Sequence, residues 1–185
     1  IREVMRGWYI PSSPDEQAGD STPWYTSFWD FCAAYLDERL EENWSLSPEQ
    51  SIQLLIGDKT VPPQLLVRSP KGRNKPTSFI HNTSVFDLRL AIPSKNQLTV
   101  VDGMRIYSLA AAIVYCSKNN FVEKPIQMRT VLSMVADASE VLSVLLEGGH
   151  VTIAGRIAGA FRNIGRNLIA DNIVKGMEAA DYKVK

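Results

Sequence analysis

Ser143 and Glu147 stand four residues apart in the run Ser143-Val144-Leu145-Leu146-Glu147-Gly148, a spacing that brings both side chains to one face of a helix. Leu142, Leu145 and Leu146 then turn towards a core, and a small hydroxyl shares a ledge with a carboxylate. Glu147 falls in the last helical turn, where the negative end of the helix dipole opposes it, so its place there calls for something other than helix stability. A carboxylate so placed can capture a guanidinium or repel a phosphate. Gly148 and Gly149 provide the left-handed cap that stops the helix, and Thr152 can start the next one.

A second set of candidate groups is basic. Arg68, Lys71, Arg73 and Lys75 fall within eight residues with no acid between them, interleaved with Ser69, Pro70, Gly72, Asn74 and Pro76. A loop tip of this kind could hold DNA phosphates, which position a protein without reading sequence, or be a solvated turn. Arg6, beside Gly7-Trp8-Tyr9, could join it. Arg156, Arg162 and Arg166 form a further basic set on helical ground, and Thr152–Ala158 has the small residues of a helix-turn-helix segment or of a tight helix crossing.

Catalytic chemistry is poorly provided for. His81 and His150 are the two histidines, and neither has a nucleophile or second base beside it in sequence, so His150 reads as a polar turn residue. The chain contains no Gly-rich phosphate loop, nucleophile elbow or metal-ligand cluster, which argues against chemistry by this piece alone. Cys32 and Cys116 are far apart and set among apolar neighbours, as expected of reduced core thiols in a cytoplasmic protein.

The elements that must position these groups follow from periodicity. Residues 1–10 read as a short strand stopped by Pro11, and 11–22 as a loop. Trp24, Phe28, Phe31, Cys32, Tyr35, Leu36 and Leu40 recur at helical spacing from Pro23 to Glu42; this aromatic face reads as core rather than as a base-stacking platform, because few basic residues flank it. Ser47-Pro48 launches a short helix to about Ile56. Strands follow at Gln64–Arg68, Thr77–His81, Val85–Ile92, Gln97–Val101 and Met104–Tyr107, with a hairpin signal at Asp102-Gly103. After an Ala-rich helix at Leu109–Ser117, an apolar stripe from Met128 to Leu145, broken near Asp137–Ser139, leads to helices at Thr152–Ile164 and Asn167–Ala180. Gly155 and Gly159 leave a smooth helix face that a neighbour can approach closely. The expected fold is α+β: a small mixed or antiparallel sheet flanked by helices, followed by a C-terminal helical bundle.

Composition bounds the rest. In a chain of 185 residues, 20 basic side chains balance 20 acidic ones, so no global charge draws it to nucleic acid or an anionic membrane. No apolar run approaches the roughly 20 residues that span a bilayer. The start at Ile1 and the end at Lys185 in mid-pattern read as those of a fragment.

The order Ser143-x-x-x-Glu147-Gly148 resembles the inhibitory helix motif, Ser/Thr-x-x-x-Glu-Gly/Asn, of Fic-family (cell filamentation) adenylyltransferases. Residues 146–166, the Arg6-Gly-Trp-Tyr-Ile-Pro segment and Leu46–Ser51 together resemble the region ahead of the Fic domain in some bacterial proteins, itself similar to AbiEi-type antitoxin regulators. The Fic motif His-Pro-Phe-x-x-Gly-Asn-Gly-Arg is missing. The resemblance implies a division into a wing strand and loop at 1–22, left from a winged helix, an AbiEi-like α+β domain at 23–122 and a helical region at 123–185. It implies a Fic domain downstream in cis and, for the full-length protein, transfer of AMP from ATP to a hydroxyl of a target protein with Mg²⁺, no cofactor residing in this chain. Ser143, Glu147 and Gly148 would be regulatory, Glu147 as a brake that holds a phosphate-binding arginine. Two other readings stand beside it: an AbiEi-type antitoxin or transcriptional regulator touching DNA through Arg6–Tyr9 and residues 68–75 without enzymatic activity, and a structural module that docks a partner through the aromatic helix or the Gly155/Gly159 face.

Overall fold

A computed structural model describes residues 1–17 and 19–184; the parts of the expected loop at residue 18 and of the helical region at residue 185 lie outside them. The fold is α+β, with small sheets in the first half and helices packed together in the second.

The chain opens with β1 (Arg2–Met5) and β2 (Trp8–Ile10), an antiparallel hairpin where the sequence suggested one strand. Gly7, at φ 82°, makes the reversal that hides the second strand from a pattern reading. The aromatic helix α1 (Thr22–Leu40) follows, then β3 (Ser45–Leu46) and α2 (Pro48–Leu55), whose N-cap Ser47 accepts the Gln50 backbone N–H. Next come β4 (Gln64–Ser69), β5 (Lys75–Ser78) and β6 (Ser84–Arg89), which with β3 form a four-stranded sheet in the order β3-β4-β6-β5. β4 and β6 run parallel, so the chain between β4 and β5 must cross the end of β6.

That crossing is the basic loop. Gly72 lies on β6 so closely that a Cβ there would fall 2.5 Å from the Leu88 carbonyl oxygen, a position only glycine can take. β5 begins two residues before the expected strand and stops before Phe79, because His81 and Asn82 at positive φ turn the chain back into β6. β6 in turn ends at Arg89, short of the expected Ile92. β7 (Leu98–Val101) and β8 (Met104–Tyr107) form a hairpin of their own through Asp102 and Gly103, both at positive φ, and do not join the larger sheet as expected. A 3₁₀ turn at Lys95–Gln97 precedes β7.

The helical half comprises α3 (Leu109–Tyr115), α4 (Lys118–Glu123), α5 (Pro125–Ser133), α6 (Ser139–Gly148), α7 (Val151–Asn163) and α8 (Asn167–Ala179). The expected break in the apolar stripe falls between α5 and α6. α7 is continuous through Thr152–Ala158, so that segment contains no helix-turn-helix turn.

Two cores result. One gathers Val4 and Ile10 of the first hairpin, the α1 aromatics and the inner faces of β4, β6 and β8. The other joins α3 to α5–α8 and takes Ile52 from α2. Leu55 of α2 is packed against both, so α2 is the shared wall. No helix among the described residues is long and apolar enough to cross a membrane.

Candidate functional site

Helix α6 starts where the Asp137 carboxylate accepts the Ser139 backbone N–H at 2.7 Å; a bond from the Ser139 hydroxyl, together with this one, holds the Asp137 carboxyl below its ordinary range. Val141, Val144 and Leu145 are buried, which leaves Glu140, Ser143 and Glu147 exposed along the opposite side. The ledge expected of Ser143 and Glu147 is therefore present.

Its carboxylate is engaged from an unexpected direction. Glu147 Oε2 accepts from Gln97 Nε2 at 2.6 Å, and the Ser94 hydroxyl lies 3.5 Å from Oε1. Gln97 is itself fixed at both backbone groups, its N–H donating to Ser94 O at 2.9 Å and its carbonyl accepting from Ser108 N at 2.8 Å. A cleft of about 410 Å³ opens between this 3₁₀ turn and α6, with Ser108, Ser139, Glu140 and Ser143 in its walls. Among the described residues no cation forms an ion pair with Glu147. Hydroxyls, amides and two carboxylates suit such a cleft to binding a cationic group, and nothing in it activates a nucleophile.

Gly148 is not the left-handed cap. That role is taken by Gly149, at φ 61°, whose N–H reaches the Leu145 and Leu146 carbonyls. Gly148 instead lies under the His150 ring: a Cβ there would sit 2.0 Å from His150 Nε2 and would displace that side chain. His150 meets the Tyr115 ring edge-on at 5.5 Å, and its Nε2 is buried without a hydrogen-bond partner, so it behaves as a packing residue of the turn.

The basic loop is occupied by its own protein. Lys71 pairs with Glu41 at 2.9 Å, and Arg68 donates to the Tyr107 hydroxyl at 3.2 Å with its guanidinium 5.8 Å from that ring. Burial raises the Tyr107 phenol above its ordinary range, while Arg68 opposes the rise. Asp87, fully buried on β6, is the centre of the arrangement. Its Oδ2 accepts from Arg39 and from the Arg73 backbone N–H at 2.9 Å, and the Arg73 guanidinium lies 3.6 Å away. Acids absent from the loop in sequence thus reach it in space. Of the proposed phosphate contacts, Lys75 on β5 and Arg6 in the β1–β2 turn are exposed and form no ion pair among the described residues.

The later arginines also have internal duties. Arg162 pairs with Asp171 of α8 at 2.9 Å, and Arg156 donates to the Cys116 carbonyl at 3.3 Å. Arg166 donates to the Leu132, Ser133 and Val135 carbonyls, closing the C-terminal end of α5 with a positive charge. Trp24, Phe28, Phe31 and Tyr35 are buried, which removes any base-stacking platform on α1. Both thiols are buried, and desolvation pushes Cys32 well above the ordinary thiol range and Cys116 up to about 12.

Within the described residues no neighbour closes on Gly159. Ala154 and Ala158 turn into the core, while Gly159 is exposed and a Cβ on it would meet nothing within 4 Å. The close approach is made by Gly176 of α8, where a Cβ would fall 2.2 Å from the end of Leu142. Two important residues escaped the sequence reading. Asp87 shares the inward parity of Val85 on β6, a period-two signal that could have marked it as buried. Gln97 carried no such signal.

The chain matches no protein-family model, no curated protein and no solved structure. Among the described residues there is no group of three or more His, Cys, Asp or Glu side chains placed to hold a metal ion.

Proposed function

We propose that this chain is the accessory and regulatory region of a Fic-type protein AMP-transferase, with Glu147 as its brake. The observation that supports this reading most directly is the pose of Glu147. The carboxylate stands exposed at the unfavourable end of α6, one turn from Ser143, and is held by Gln97 rather than by a cation. Its charge has no counter-ion within the described residues, so a guanidinium of an adjoining domain could pair with it, and a phosphate group approaching the same place would be repelled. ATP and Mg²⁺ would be bound by that domain. Replacing Glu147 by Gly in the longer protein that carries both parts should raise incorporation of labelled AMP into its target. Labelling no greater than in the wild type would end the brake assignment.

A second reading, contact with DNA phosphates, is favoured by the β1–β2 hairpin, which is shaped like a wing and exposes Arg6 at its turn. In a gel shift against the gene's own promoter, Arg6→Ala should weaken binding and lower its salt dependence. A complex indifferent to Arg6 and to salt would dismiss it.

A further inference from the structure

The least explained surface of the molecule is a groove of about 560 Å³ between α5 and α7. Phe121, Ile126 and Ile164 make its walls, and Ile126 remains 81% exposed while Val122 on adjacent α4 is 80% exposed. Apolar side chains grouped in this way mark a surface that is covered in use. Along one side runs Gly159, above which a Cβ would meet only open space. A helix lying there could bring its backbone closer than the 8–10 Å usual between helix axes.

The groove also has a sign. Two arginines, Arg129 and Arg156, line it, and no carboxylate does. Arg129 is exposed and forms no ion pair among the described residues. Arg156 lies over the Phe121 ring at 5.2 Å, and its Nε is buried with no acceptor. Arg156 keeps its bond to the Cys116 carbonyl, but neither guanidinium charge is balanced by a carboxylate, and an apolar trough with such charges at its side is complementary to aliphatic anchors flanked by carboxylates.

From this we infer that the α5–α7 groove receives an amphipathic helix of a protein partner, aliphatic side chains seated between Phe121, Ile126 and Ile164 and an Asp or Glu on Arg129 and Arg156. The inference does not depend on the role of Glu147, since it uses neither α6 nor the cleft beside it.

The test is a selection with the whole chain against a displayed library of amphipathic helical peptides of about 16 residues, aliphatic at the i, i+3, i+4 and i+7 anchor positions and randomised elsewhere. Binders should be enriched in Asp and Glu beside the anchors. Their affinity should fall about tenfold or more in Arg129→Glu, by the loss of a matched charge pair, and the same variant should prefer basic peptides. Gly159→Leu should abolish binding while leaving the melting temperature unchanged or higher, because the new side chain meets no neighbour and favours the helix. A selection that yields no binder sensitive to Gly159→Leu, or binders of neutral or basic character, overturns the inference. So does concentration-dependent self-association in sedimentation velocity that Gly159→Leu removes, which would make the occupant a second copy of this chain.

Discussion

The two halves of the molecule are held by different kinds of force. In the α/β half, cohesion is directional. Trp24 meets Phe28, Phe31 and Phe79 edge-on at 5.2–5.8 Å while its indole N–H donates to Thr83 at 3.0 Å, and a buried carboxylate, Asp87, fixes the loop above it. In the helical half the core is mostly aliphatic and Ala-rich, and the few polar contacts, such as Arg166 on the α5 carbonyls and Arg162 on Asp171, lie at its edges rather than at its centre. Directional contacts fix a loop crossing that hydrophobic burial alone would leave loose; non-directional ones suffice where helices stack along their lengths.

The strongest challenge to this contrast is Trp24→Ala, which should cost about 4 kcal/mol, since it removes a large buried ring and orphans the Thr83 hydroxyl contact. All four tryptophans, at 8, 24, 29 and 44, lie in the α/β half, so their fluorescence in a urea titration reports that half and far-ultraviolet circular dichroism mainly the helices. Because α2 is packed against both cores, both signals should shift together. A fluorescence midpoint that moves alone would show two independent units.

Asp87→Ala should cost about 3 kcal/mol, since it leaves Arg39 facing a buried hole and frees the Arg73 backbone. Proteolysis should then cut first within residues 70–75. Resistance there equal to the wild type would mean that Gly72 and Asn74 hold the crossing without the carboxylate. Arg166→Met carries the smallest effect, about 1 kcal/mol, from the loss of charge-assisted bonds at the α5 terminus. Amide exchange of α5 and α8 should quicken while the sheet keeps its protection. Equal acceleration in both halves would blur the distinction just drawn.

How legible this molecule was in its sequence follows the same division. The longer helices α1, α7 and α8, with their extended apolar period, were placed to within about two residues, whereas the six-residue α4 was not foreseen; β8 fell on the residues expected. The parallel pairing of β4 with β6 was not readable, because a crossing depends on contacts remote in sequence: Gly72 on Leu88 and Arg73 on Asp87. The Ser143–Glu147 ledge was legible because helical spacing alone determines it. The hold on Glu147 was not, since Gln97 comes from 50 positions away. The internal pairing of Arg68, Lys71 and Arg73 was hidden for the same reason, their partners being Tyr107, Glu41 and Asp87.

The Gln97–Glu147 bond has a consequence for whatever approaches α6. Gln97 is 3% exposed, and a partner that draws the Glu147 carboxylate away strands a desolvated amide N–H₂ behind it. Drawing Glu147 away therefore costs this bond, unless the visitor offers the Gln97 amide a replacement acceptor.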